Sequence, residues 1–86
     1  MKVIFSEDAF AEYIAWQSND KKTANRINDL IKSIQRDGFT KGIGKPEPLK
    51  NKKAYSRRID DVNRLIYIGD SEQNLVILSC CGHYRD

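Results

Sequence analysis

Two runs in the C-terminal half, Arg64-Leu65-Ile66-Tyr67-Ile68 and Leu75-Val76-Ile77-Leu78-Ser79-Cys80, constrain this chain more than any other feature of it. Both are rich in β-branched residues and read as strands. Only Gly69 to Asn74 separate them. That is too short for the crossover a parallel pair requires, so the two runs form an antiparallel hairpin. A third extended stretch, from about Ala54 to Ile59, precedes them across the turn-forming Asp60-Asp61-Val62-Asn63. Apolar residues at both parities of the last two runs predict a sheet with at least partial cover on both faces, thinning at Ser79 and Gly82.

The cover has to come from the N-terminal half. Lys2-Val3-Ile4-Phe5 reads as a short strand. Ser6 then caps a helix, with Glu7 and Asp8 at the positive end of its dipole. Phe10, Tyr13, Ile14 and Gln17 make that helix's stripe, and the pattern fades near Ser18-Asn19. Asp20 is a second N-cap, and Ala24, Ile27, Leu30, Ile31 and Ile34 then fall on one helical face. Asp37-Gly38 ends the second helix. With so short a link the two helices fold back as an antiparallel hairpin. Gly42 to Lys50 reads as loop, since Pro46 and Pro48 lack the amide hydrogen that a central strand needs. The predicted architecture is α+β, one domain over residues 1–86: an N-terminal strand and a helical hairpin packed on a mainly antiparallel sheet.

No apolar run approaches the roughly 18 residues of a membrane span, and the N-terminus lacks the apolar centre of a signal peptide. A cytoplasmic protein with no membrane partner is expected. Cys80 and Cys81 are adjacent, so a disulfide between them is disfavoured; one faces the core and the other the opposite side. Without CxxC spacing, and with His83 as the sole histidine, the chain does not carry a zinc pattern, and no metal or cofactor is expected.

Charge is unevenly placed. Residues 41–58 hold Lys41, Lys45, Lys50, Lys52, Lys53, Arg57 and Arg58 against Glu47 alone, in a chain of net charge +3. The remainder is therefore net negative. This concentration is the footprint of a polyanion site, or else a solvated loop. Within it, Pro46-Glu47-Pro48 holds a carboxylate on a stiff segment; Lys45 and Glu47, each before a proline, are expected to stay out of the helical region. Arg57 and Arg58 face opposite ways on a strand, so only one shares a face with such a site. Arg64 opens an otherwise apolar strand, and His83-Tyr84 closes the last one. Guanidinium groups suit phosphate, imidazole transfers protons near neutral pH, and a tyrosine can stack on a base. Taken singly, each has an ordinary structural explanation.

Together they resemble a known family. Gly44-Lys45-Pro46-Glu47-Pro48-Leu49-Lys50, Ser56-Arg57-Arg58-Ile59, Asn63-Arg64-Leu65-Ile66-Tyr67 and His83-Tyr84, with Trp16-Gln17 and Ile27 to Lys32, are similar to the YoeB/Txe group of RelE-superfamily toxins over nearly the whole chain. The resemblance implies the RelE-like microbial ribonuclease fold, with its twisted sheet. It implies a ribosome-dependent endoribonuclease that cleaves mRNA in the A site of the 70S ribosome. In that scheme Glu47 is the general base, His83 the general acid and Arg64 the cation at phosphorus. Lys50 and Arg58 support the phosphate, Tyr84 seats the nucleotide, and Lys45 adds phosphate attraction. The implied partner is a cognate YefM/Axe-like antitoxin whose acidic tail folds across the basic segment; a homodimer is left open. The alternative is a non-catalytic RNA- or protein-binding module on the same scaffold, as in ParE-like relatives.

Overall fold

The computed structural model describes residues 1–50 and 53–82. Local capping explains where both helices begin. Ser6 Oγ accepts the Ala9 amide at 3.1 Å and starts α1, Glu7–Asn19. The same hydroxyl donates to the Leu78 carbonyl at 3.0 Å, which ties the cap to the sheet. Asp20 accepts the Thr23 amide at 3.2 Å and starts α2, Lys21–Asp37. Gly38, at φ +96°, closes α2, its amide donating to the Ile34 carbonyl at 2.9 Å. A single residue thus joins the helices. The Tyr13 hydroxyl donates to Asn28 Oδ1 at 2.6 Å, and these positions are nearly equidistant from Asp20, as an antiparallel hairpin requires.

Among the described residues five strands form one sheet: β1 Val3–Phe5, β2 Glu47–Pro48, β3 Tyr55–Arg58, β4 Arg64–Gly69 and β5 Leu75–Ser79, in the order β1-β5-β4-β3-β2. Only the β1–β5 pair is parallel; the other three are antiparallel. The predicted three-strand meander is present as β3, β4 and β5. The segment read as loop contributes one element more than expected: Glu47 pairs with Ser56 and Pro48 with Tyr55. The prolines do not forbid this, because β2 lies at the sheet edge and has only one neighbour.

The helical hairpin covers one face. Ile27, Leu30 and Ile34 from α2 meet Leu65, Tyr67, Leu75 and Ile77 from β4 and β5, all fully buried. Each such side chain contributes about 1.5–3 kcal/mol on leaving water. The stripe expected on α1 is corrected by the structure. Ala9 is buried and Tyr13 and Trp16 pack on the core, whereas Phe10 and Ile14 are 55% and 47% exposed. This helix has apolar residues on more than one side, and the sheet takes the side from which the Trp16 indole donates to the Cys80 carbonyl at 2.8 Å. Just past the end of β5, Cys80 is buried and Cys81 exposed, the opposite placement expected of these neighbours. The opposite face of the sheet is only partly covered: Ile4 and Leu78 are 40% and 36% exposed, whereas Ser56 and Ile66 are buried at 4% each. Among the described residues no helix is long and apolar enough to cross a membrane.

Candidate functional site

The face turned away from the helices carries three of the predicted site residues, Glu47, Arg58 and Arg64, through strand register. Cross-strand partners project from the same side of a sheet. Glu47 stands opposite Ser56, which stands opposite Ile66; Arg58 stands opposite Arg64. Because side chains alternate, Glu47, Ser56, Arg58, Arg64 and Ile66 share one face, and Arg57 and Leu65 the other. With strands about 4.8 Å apart and about 3.4 Å per residue, the Cα atoms of Glu47 and Arg64 lie roughly 12 Å apart. Arg58, on the strand between them, is the direct cross-strand partner of Arg64.

Each residue is delivered by a defined piece of backbone. Arg64 follows a turn in which Asp60 Oδ1 accepts the amides of Val62 and Asn63 at 2.8 and 2.6 Å. The Ile59 amide donates to the Asn63 carbonyl at 3.0 Å, closing the β3–β4 hairpin. The end of the described chain docks here too: the Gly82 amide donates to Asn63 Oδ1 at 2.8 Å, and the Arg64 amide to the Gly82 carbonyl at 3.0 Å. His83 and Tyr84 follow Gly82 and lie outside the described residues.

Glu47 is exposed on β2. It is reached through Gly44, whose carbonyl accepts the Arg58 amide at 2.7 Å, and Lys45, at φ +52°. Lys45 avoids the right-handed helical region, as a residue before proline should, but lies in the left-handed region instead of the extended one. The turn begins at Gly44, at φ +85°, where a Cβ would stand 2.6 Å from Leu30 Cδ2. The chain therefore passes close over α2 and must swing back toward β3. Lys45 and Lys50 are exposed.

The paired arginines separate as alternation requires. Among the described residues, neither Arg58 nor Arg64 has a side-chain hydrogen bond or an ion pair. Their donors are open to a ligand. Arg57 is fully buried on the helical side, and all five of its N–H donors are used. Nε donates to Tyr67 Oη at 2.8 Å; Nη1 donates to Ser33 Oγ and the Ile43 carbonyl, both at 3.0 Å. Nη2 donates to the carbonyls of Gly38 and Lys41 at 2.8 and 2.6 Å. Asp37 also feels this charge: bonding to Arg36 first, then to Ser33, with attraction from Arg36 and Arg57, holds its carboxyl below the usual range. From sequence, the arginine pair says only that one member leaves the site. Its role inside is invisible, because its main acceptors are backbone carbonyls, which no residue identity encodes.

A separate cavity of about 180 Å³, lined by Glu12, Ala15, Trp16, Asn19 and Cys81, contains none of the predicted site residues. Among the described residues, no three His, Cys, Asp or Glu side chains group as metal ligands.

A helical hairpin packed on one face of a five-stranded, mainly antiparallel sheet is the fold of the YoeB/RelE-type toxins. Within that class, residues 5–84 match the family of YoeB-like toxins of bacterial type II toxin-antitoxin systems, and the chain belongs to that family. The toxin YoeB of Synechocystis sp. is 51% identical over 87 residues, covering 99% of each chain. The YoeB dimer from Staphylococcus aureus superposes with a TM-score of 0.91 at 46% identity, covering 98% of each chain. The YoeB chain of the heterotetrameric YoeB-YefM toxin-antitoxin complex from the same organism gives 0.89 at 46% identity, again over 98% of each.

Proposed function

We propose that this toxin is a ribosome-dependent endoribonuclease, which cleaves mRNA in the ribosomal A site and so stops translation. The observation that carries the reading is the shared face of Glu47, Arg58 and Arg64, with both guanidinium groups unpaired among the described residues. A carboxylate facing two unpaired cations suits a phosphodiester whose own 2′-hydroxyl is the nucleophile. Glu47 takes the 2′-hydroxyl proton, and the 2′-oxygen attacks the adjacent phosphorus. Arg64, with Arg58 and Lys50, offsets the negative charge that grows on the non-bridging oxygens. The bond from phosphorus to the 5′-oxygen breaks, and His83 gives that oxygen its proton. The products are a 2′,3′-cyclic phosphate and a free 5′-hydroxyl. Tyr84 seats the base, and Lys45 adds attraction for the backbone.

The docking of Gly82 on Asn63 and Arg64 supports the role given to His83, the next residue in the chain. DNA is spared because it has no 2′-hydroxyl. General acid–base catalysis typically contributes about 10²–10⁴-fold. Alignment of the RNA must contribute much of the rest, which is the part assigned to the ribosome. The reading extends to partners. A cognate antitoxin with an acidic segment covers the basic face; the S. aureus relative is found in a complex with YefM, and cytoplasmic location follows from a ribosomal target.

Toeprinting of message on purified ribosomes tests the assignment. The wild-type chain is expected to cut A-site codons, Glu47→Gln to cut about 10²–10⁴-fold more slowly, and a 2′-deoxy substitution at the scissile nucleotide to block cleavage. Undiminished cleavage by the Glu47→Gln/His83→Gln double variant overturns it. A wild-type chain that binds RNA on ribosomes yet leaves it intact points to a non-catalytic binding module.

A further inference from the structure

β2 is too small to hold Glu47 by itself. It is two residues long, exposed, at the sheet edge, and one of the two is proline. What fixes its approach is the preceding segment, 38–44, and that segment is bound almost entirely from one point. Arg57 takes the carbonyls of Gly38, Lys41 and Ile43. Tyr67, which accepts from Arg57 Nε, donates to the Phe39 carbonyl at 2.7 Å. Ser33, which accepts from Arg57 Nη1, also accepts the Ile43 amide at 3.2 Å. Arg57 Cζ lies 5.7 Å from the centre of the Tyr67 ring, and Tyr67 stacks on Tyr55, the strand partner of Pro48. The guanidinium thus sits at the centre of a cage whose outer wall is the loop that leads to Glu47.

A buried charge of this kind is not needed to fill the core, and taking a cation out of water is costly unless every donor is met. Here every donor is met, and chiefly by one loop. A lysine keeps the charge but offers three donors from a single nitrogen, and so cannot hold carbonyls spread along six residues in the same fixed plane.

We propose that Arg57 is a positioning residue for Glu47: by clamping the carbonyls of segment 38–43 from beneath the sheet, it sets where the carboxylate stands on the opposite face. This inference rests on the reading of Glu47 as the base. Arg57 touches no substrate and acts only through the loop.

Single-turnover cleavage of ribosome-bound message, together with ribosome affinity, tests it in a double-mutant cycle. Arg57→Lys is expected to slow cleavage by about 10²-fold, the scale of a misplacement near 1 Å, with ribosome affinity unchanged. In a Glu47→Gln background the same change is expected to add nothing, since the group it positions is gone. Tyr67→Phe, nearly isosteric, removes the bonds to Arg57 Nε and the Phe39 carbonyl. It is expected to slow cleavage in the same direction, to be silent in the Glu47→Gln background, and to speed hydrogen exchange at the Ile43 amide. Effects that multiply across the two backgrounds overturn the proposal, as does wild-type cleavage by both variants while Glu47→Gln is slow. Full activity of Glu47→Gln overturns the functional reading and this one together.

Discussion

Arg57 and Arg58 are consecutive in β3, yet the first is sealed under the sheet by five hydrogen bonds and the second projects beside Arg64 from the opposite face. Equivalent substitutions should therefore divide cleanly. Arg57→Met strands three carbonyls and two hydroxyls and is expected to cost about 3 kcal/mol or more. Arg58→Gln is expected to change stability by less than about 0.5 kcal/mol. Urea unfolding followed by circular dichroism measures both; equal losses would contradict the division.

Gly42 is surface-exposed and looks replaceable. It stands at φ +112°, and a Cβ there would collide with Ser33 Oγ and lie 2.8 Å from Asp37 Oδ2 and 3.0 Å from Arg57 Nη1. Gly82, at φ +79°, has nothing within 4 Å of the same position. Gly82→Ala is expected to cost only the backbone strain of about 1–2 kcal/mol. Gly42→Ala adds overpacking of about 1–3 kcal/mol to a similar strain. Thermal unfolding of the pair checks the order, with Gly42→Ala melting lower.

The parts of this fold legible in sequence are those set by local chemistry. Ser6, Asp20 and Gly38 cap helices because their own side chains, or lack of one, meet nearby backbone, and the meander follows from short links. That Arg57 and Arg58 part to opposite faces follows from alternation, while the pairing of Arg58 with Arg64 is set by the hairpin register. What escaped reading is set by distant partners. Glu47–Pro48 becomes a strand only because Ser56 and Tyr55 lie alongside. The inner side of α1 is chosen by the sheet it meets, so Phe10 and Ile14 stay exposed where periodicity gave them the core. Arginine is among the residues least often fully buried, and the carbonyls that make Arg57 an exception carry no signature in the letters.

Salt should report the open face directly. If Arg58 and Lys50 each contact one phosphate, RNA binding weakens linearly in logarithmic salt, with a slope of about −0.7 per contact for single strands. Arg58→Gln and Lys50→Gln are each expected to reduce that slope by about 0.7 and to weaken binding similarly across RNA sequences. Fluorescence anisotropy at several salt concentrations reads both quantities. A loss confined to one sequence would show base readout in place of phosphate contact.

The two cysteines should behave as different chemical species although they are adjacent. Burial, then the nearby Glu12 and Cys81, pushes the Cys80 thiol up to about 12. It is fully buried, with Sγ 3.6 Å from the Ala9 carbonyl, whereas Cys81 is exposed. Thiolate is the reactive form, so one thiol per native chain is expected to label quickly with a disulfide reagent and the second only on unfolding. The same burial fixes the sign of the alkaline response. The unfolded thiol ionises near its ordinary 9.0 and the folded one near 12, so the folded chain holds more protons in between. Tyr67, also raised by burial despite its bond from Arg57, acts in the same direction. Their stabilising contribution is complete below pH 9 and is lost progressively toward pH 12. The urea midpoint should fall across that window, and less steeply in Cys80→Val. A midpoint that rises with pH there, or two thiols that label at one rate, would show that Cys80 is not shielded by the core.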